Sequence, residues 1–314
     1  MPVRQIGSLD VSLVGLGCNN FGGRIDERQS IEVVEAALDA GINLFDTADV
    51  YGATKSEEFL GRALAKDRSD VLIASKFGAK LDERRSGAAP SYVKSALEDS
   101  LRRLGTDYVD LYQLHMPDPA TPIGDTLGAL ADLVEEGKVR EIGCSNFSAA
   151  QLGEAEAALK AGAPRFVSVQ NEYSLLQRGA EVEVLAECER LGIAFIPYFP
   201  LKAGLLSGKY RPGEPPPAGT RVASMPADRQ AAVLTPGNLE LVGALARFAE
   251  ERGHSVLELA IAWLASHSPV ASVIAGATKP EQVRANVKAA DWVLTDEDMA
   301  EIDAIVPPPT APGR

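Results

Sequence analysis

The chain has 314 residues, 46% of them hydrophobic, which is ample apolar material for one large core. A net charge of −13 argues against a nucleic-acid partner, which calls for a clustered basic face, but leaves room for an anion in a local pocket. No apolar run reaches the roughly 20 residues of a membrane span, the start lacks a secretory segment, and three cysteines without CxxC spacing suggest neither a disulfide framework nor a thiolate zinc site, so a cytoplasmic protein is expected.

The first dozen residues suggest two short strands around Gly7-Ser8, a hairpin outside the main sheet. VSLVGLG reads as a strand and GCNNFGG as the loop after it. Ile31, Val34, Ala37 and Leu38 recur at helical spacing between Arg28 and Ala40, and Gly41 stops that helix. The short strand NLF follows, and Thr54 with Glu57 fits a capping box for a helix reaching about Ala65. VLIASK is the next strand, and Val93, Leu97, Leu101 and Leu104 stripe a helix that Gly105 ends. After the strand VDLYQLH, Pro122 opens a helix to about Glu136. VREIGCSN is a strand, Ser148 and Gln151 form a second capping box, RFVSVQNEY is a strand, and a helix runs from Glu181 to Leu191. Beyond the strand GIAFIPY lies a long irregular segment, Lys202 to Pro236, rich in proline; loops of that length are usually lids or binding loops. Helices Asn238–Glu251 and Ser255–His267, the second with a Ser255/Glu258 capping box, lead to the strand VASVIAG. Helices at Lys279–Ala289 and Asp296–Ile305 follow, and PPPTAPGR reads as a loose tail.

Eight alternations of strand and helix at turn-sized spacing predict an α/β fold of the (β/α)8 TIM-barrel kind, with an N-terminal β-hairpin and extra C-terminal helices. No repeat or linker divides the chain, so a single domain over residues 1–314 is expected. Such barrels carry their chemistry at the C-terminal strand ends. Asp46, Lys76 and His115 fall at three successive ends, and Tyr51 stands on the loop five residues after Asp46. Singly, each would be an ordinary structural residue; together they describe a proton-transfer site. A tyrosine is a poor acid, with an ordinary pKa near ~10. A neighbouring Lys76 ammonium, held charged by Asp46, is expected to lower it, and His115 can donate or shuttle a proton to the same oxygen.

The segments FDTADVYG, ASKFG, LYQLHMPDP, GCSNF, VQNEYS and PYFPL, in this order, resemble the aldo-keto reductase family over residues 3 to 306. The resemblance implies the barrel reached above without it, and a catalytic tetrad of Asp46, Tyr51, Lys76 and His115 with Tyr51 as general acid. It implies NADP(H) as cofactor and a small aldehyde or ketone as substrate. Ser145, Asn146 and Gln170 would bind the nicotinamide carboxamide and Tyr198 would stack on its ring, with Thr47, Leu201, Ala203 and Gly204 also along the cofactor. In GATKPEQVRAN, where Thr278 and Glu281 fit a capping box, Lys279, Gln282 and Arg284 would surround the adenosine 2′-phosphate, with Asn286 near the adenine. Asn19, Asn20 and Phe21, with Met116, are expected to face the substrate. Three positions depart from the family pattern: Gln282 stands where a basic residue is common, Phe199 where a small polar one is, and Ala275 where proline is.

Other chemistries fit poorly. Gly15 and Gly17 begin a Gly-rich loop, but Asn20 breaks the dinucleotide spacing, and AGLLSGKY lacks the residues of a phosphate loop. GCSNF lacks the second glycine of a nucleophile elbow, Cys144 has no activating neighbour in sequence, and three scattered histidines suggest no metal centre. One alternative on the same fold stays open: a regulatory or binding protein that senses the nicotinamide cofactor.

Overall fold

Gly7 takes a left-handed φ of +57°, which a side chain would strain, and folds Val3–Ile6 (β1) onto Leu9–Ser12 (β2) as an antiparallel hairpin. In this computed structural model, which describes residues 1–310, eight further strands form one parallel sheet. They are β3 (Val14–Gly17), β4 (Leu44–Asp46), β5 (Leu72–Phe77), β6 (Val109–Leu114), β7 (Val139–Ser145), β8 (Phe166–Glu172), β9 (Ala194–Tyr198) and β10 (Val273–Gly276). They pair in the order β10-β3-β4-β5-β6-β7-β8-β9. The ring closes beside β10: Phe195 N–H donates to the Pro269 carbonyl at 2.6 Å, and Ala271 N–H to the Phe195 carbonyl at 3.0 Å. The result is a (β/α)8 barrel.

Helices return the chain between strands: α1 (Glu27–Asp39), α2 (Lys55–Ala63), α3 (Pro90–Leu104), α4 (Ile123–Glu135), α5 (Ala149–Ala157) and α6 (Val184–Leu191). After β9 come α7 (Ala227–Val233), α8 (Pro236–Glu251) and α9 (Val256–Ala265), and after β10 come α10 (Pro280–Lys288) and α11 (Asp296–Ile305). Helix α7 is a difference from the irregular segment expected there: ADRQAAV contains helix formers, but the prolines around it dominate a local reading. No described helix is long and apolar enough to cross a membrane. The expected loose tail ends in residues 311–314, outside the described residues.

The capping boxes at Ser148/Gln151 and Ser255/Glu258 form as expected. Two others do not. Thr54 lies at φ +77° and caps nothing. Glu57 turns inward, fully buried, to accept from Ser75 Oγ at 2.5 Å and Arg103 Nε at 2.6 Å. A buried carboxylate needs such partners more than a helix end needs a cap. At α10 the cap position belongs to Lys279, and Gln282 Oε1 accepts from the Thr278 N–H at 2.8 Å.

Two apolar clusters complete the packing. A large one lies between strands and helices. A smaller one fills the lumen, where hairpin residues Ile6, Leu9 and Val11 meet Leu44, Leu111 and Ile196. The hairpin therefore plugs the N-terminal mouth, and Ser8 N–H donates to Glu141 Oε1 at 2.7 Å to fix it there. Only the C-terminal mouth is left open for a ligand.

Candidate active site

Side chains on a strand alternate faces, so every second residue of the barrel points into the lumen. Leu44, Ala74 and Leu111 lie in the inner apolar cluster, and two residues further on Asp46, Lys76 and Gln113 carry the same face to the open mouth. Lys76 Nζ lies 2.7 Å from both Asp46 carboxylate oxygens and donates to the Thr47 carbonyl at 2.9 Å. Gln170 Nε2 donates to Asp46 Oδ1 at 2.9 Å, and Gln113 Nε2 reaches the same oxygen at 3.5 Å. The pair is 0% and 4% exposed, so water offers it no alternative partners. A buried ion pair in this geometry, with hydrogen bonds on its spare lone pairs, is the arrangement in which both charges persist.

Tyr51 covers that pair. Lys76 Nζ lies 5.1 Å from the centre of its ring, and His115 meets it edge-on with ring centres 5.7 Å apart. All four expected residues are therefore together. The electrostatic outcome differs from expectation. Burial raises the Tyr51 phenol above its ordinary value; the Lys76 ammonium opposes that, but Asp46 cancels part of its field. Burial also works against the Lys76 charge, yet Asp46 and Tyr51 more than compensate, and its pKa ends above the usual amine value. Burial, with Lys76 nearby, pushes the His115 imidazole down to about 3. Tyr51 and His115 are thus both neutral at pH 7, and His115 Nδ1 has no partner among the described residues.

Asp46, Tyr51 and His115 border a cavity of about 810 Å³ at the barrel mouth. Ser145, Asn146, Gln170, Tyr198, Leu201, Ala203, Gly204, Lys279, Gln282 and Asn286 line it too, with Asn19, Asn20 and Met116. Four of these residues are cross-linked: Ser145 Oγ donates to the Gln170 carbonyl at 2.7 Å, and Tyr198 OH to Asn146 Oδ1 at 2.8 Å. Asn146, Phe199, Lys202 and Ala203 all have left-handed backbones, at φ 63°, 53°, 42° and 55°. Strain of this kind persists only where surroundings enforce it, and it gathers at functional sites.

Phe21 does not face the cavity. It is 0% exposed in the outer core, because the turn Cys18–Ile25 aims it inward while Asn19 and Asn20 face the mouth. Thr47 does not line the cavity either: fully buried, its hydroxyl bonds Ser56 Oγ at 2.8 Å, and only its backbone carbonyl serves Lys76. Arg284, on the exposed side of α10, is not among the lining residues. Conversely, Arg24, Lys209 and Arg221 line the cavity and were not foreseen. The only sequence signal for them was position: one beside a Gly-rich loop and two within the proline-rich segment.

The site can hold a carbonyl oxygen against two neutral donors, and it extends far enough for a long, anionic ligand. The model of the Aldo/keto reductase family matches residues 13–307. Over 306 residues the chain is 35% identical to a probable aldo-keto reductase 1 of Glycine max, covering 95% of this chain and 86% of that protein. It is 36% identical over 298 residues to a probable voltage-gated potassium channel subunit beta of Oryza sativa subsp. japonica, covering 91% and 90%. A solved glycerol dehydrogenase from Gluconobacter oxydans superposes with a TM-score of 0.85 at 32% identity, covering 99% of this chain and 98% of that one. With its barrel, its strand-end acid and lysine and these similarities together, the chain belongs to the aldo/keto reductase family of oxidoreductases, which generally use nicotinamide cofactors.

Proposed function

We propose that the chain reduces an aldehyde or ketone to an alcohol, with NADPH as hydride donor and Tyr51 as general acid. The observation that carries this reading is the Tyr51 phenol, protonated and bordering the cavity, directly over the closed Lys76–Asp46 pair. When bound, the cofactor would supply a hydride for the carbonyl carbon. Tyr51 OH binds the carbonyl oxygen and gives up its proton as negative charge gathers there. The Lys76 ammonium stabilises the phenolate that remains, and Asp46 keeps that ammonium charged. Neutral His115 orients the carbonyl through a hydrogen bond and need not change its charge.

The lining residues fit the cofactor. Gln170, whose Nε2 is committed to Asp46, offers Oε1 to the carboxamide beside Ser145 and Asn146, and Tyr198 flanks the ring. Lys209 and Arg221, neither paired with a carboxylate among the described residues, suit the diphosphate, and Lys279 with Thr278 suits the 2′-phosphate. Leu201, Ala203 and Gly204 line the same cavity.

Purified protein should consume NADPH absorbance with a simple aldehyde, and Tyr51→Phe should lose about 10²- to 10⁴-fold in kcat while still binding NADPH. An unchanged rate in that variant removes Tyr51 from the role. Similarity to the rice channel-subunit protein supports a second reading, a cofactor-sensing binding protein. Tight NADPH binding with no turnover across a broad carbonyl panel would favour it.

A further inference from the structure

The cavity's charge exceeds what a dinucleotide needs. Arg24, Lys209, Arg221 and Lys279 all line it, whereas among the described residues Asp46 is the only acid lining it and is neutralised by Lys76. This is the reverse of the molecule as a whole, with its net charge of −13. Under the reading above, Lys209 and Arg221 serve the diphosphate and Lys279 the 2′-phosphate. Arg24 is left over.

Its place on the rim is defined by backbone. The amides of Gly23, Arg24 and Ile25 all donate to the Asn20 carbonyl, at 3.3, 2.9 and 3.1 Å, so Arg24 rides on a tightly bonded turn beside Asn19 and Asn20. That turn abuts the loop bearing Tyr51. A Cβ on Gly52 would overlap the Phe21 carbonyl, and one on Gly22 would crowd the Gly52 carbonyl at 3.2 Å. The Arg24 guanidinium spans the mouth, donating from Nη2 to the Gly219 carbonyl at 3.2 Å. No carboxylate pairs with it among the described residues, and its charge depresses the pKa of both Lys209 and Arg221 after burial has done so. Three cations thus crowd one opening without a counter-ion among the described residues. Phe199, stacked under Arg221 at 4.8 Å, and Met116 supply apolar walls on the same mouth.

We infer that the substrate is itself an anion, a carbonyl compound bearing a carboxylate or phosphate group, and that Arg24 receives that group beside Tyr51. The inference rests on the reductase reading. A guanidinium on the rim, with donors to spare beyond Gly219, pairs with either anion in two-point fashion. The local positive field draws such a substrate into an otherwise repelling molecule.

The test compares matched pairs with NADPH: butanal against 4-oxobutanoate, and glyceraldehyde against glyceraldehyde 3-phosphate. The readout is the ratio of kcat/KM for charged over neutral aldehyde. A ratio above about tenfold in either pair is expected, and the pair that shows it identifies carboxylate or phosphate. Arg24→Ala should bring that ratio close to one, and Arg24→Lys should restore part of it. A wild-type ratio near one in both pairs overturns the inference while leaving the reductase reading intact. So does an Arg24→Ala enzyme that keeps its ratio but binds NADP⁺ tenfold more weakly, since Arg24 would then serve the cofactor. Absence of turnover with all four aldehydes overturns the reductase reading, and this inference with it.

Discussion

Tyr51, Lys76 and Asp46 act as a unit because each corrects a cost that burial imposes on another. The phenol is raised above its ordinary value by desolvation, so it is protonated throughout the neutral range and ready to donate. His115, pushed down to about 3, stays neutral and does not titrate near neutrality. Reduction should therefore show a level pH profile of kcat/KM from about pH 6 to 9 and fall only in alkali, as Tyr51 loses its proton. Alcohol oxidation, which needs the phenolate, should instead rise with pH. An inflection near ~6.5 in the reductive profile would show a titrating histidine and oppose this assignment. Lys76→Met leaves Asp46 buried without its counter-ion and should cost about 3–5 kcal/mol in urea unfolding as well as activity. Adding Asp46→Asn should recover much of the stability and none of the turnover. If the single variant is as stable as the parent, the pair is not as closed as its 2.7 Å geometry indicates.

At the scale of elements, the hairpin and the segment after β9 do opposite jobs. The hairpin closes the end of the barrel that has no chemistry, burying Leu9 to 1% exposure against lumen residues. Leu9→Ala should leave a cavity that the rigid lumen cannot collapse, costing about 2–5 kcal/mol by urea denaturation with activity retained in the folded enzyme. A loss below ~1 kcal/mol would mean the plug is not load-sharing with the barrel. The segment from Phe199 to Gly208 instead holds strained, left-handed residues against the open mouth, anchored where Lys202 Nζ donates to Glu172 Oε1 at 2.6 Å. Strain there persists only because the surrounding structure enforces it. One helix, α2, shows how a buried need overrides a local rule: Glu57 leaves the cap position for Arg103 on α3, and so ties the two helices together.

For the molecule as a whole, the sign of its charge and the sign of its cavity are opposed. An acidic surface around a cationic mouth concentrates anions there and suits a polyanionic cofactor. On the proposed assignment, in which NADP⁺ binds the folded state alone, NADP⁺ at a hundred times its Kd should add about 2.7 kcal/mol of stability, seen as a rise of several degrees in Tm. NAD⁺ at the same concentration should add clearly less, because it lacks the phosphate that Lys279 and Thr278 suit. Equal shifts from the two would remove the NADP assignment; Gln282, engaged with Thr278, brings no charge to that phosphate.

Much was legible in the sequence by itself because it is written in short windows. Short apolar runs marked the strands, spacing by 3.6 marked the helices, and Gly41 and Gly105 marked stops that the backbone does make at positive φ. From eight alternations the barrel followed, and from the barrel the meeting of Asp46, Lys76, Tyr51 and His115. What the tertiary structure alone decided were the properties that depend on surroundings. Desolvation set the direction of the Tyr51 pKa, against the simple expectation from its lysine neighbour. A turn's orientation sent Phe21 inward and Asn19 outward. Pairings distant along the chain, Glu57 with Arg103 and Arg24 with Gly219, redirected side chains whose own neighbourhoods gave no hint of it. Local pattern encodes which elements form; burial and long-range partners, which no local window contains, set the charge and direction of the groups that do the chemistry.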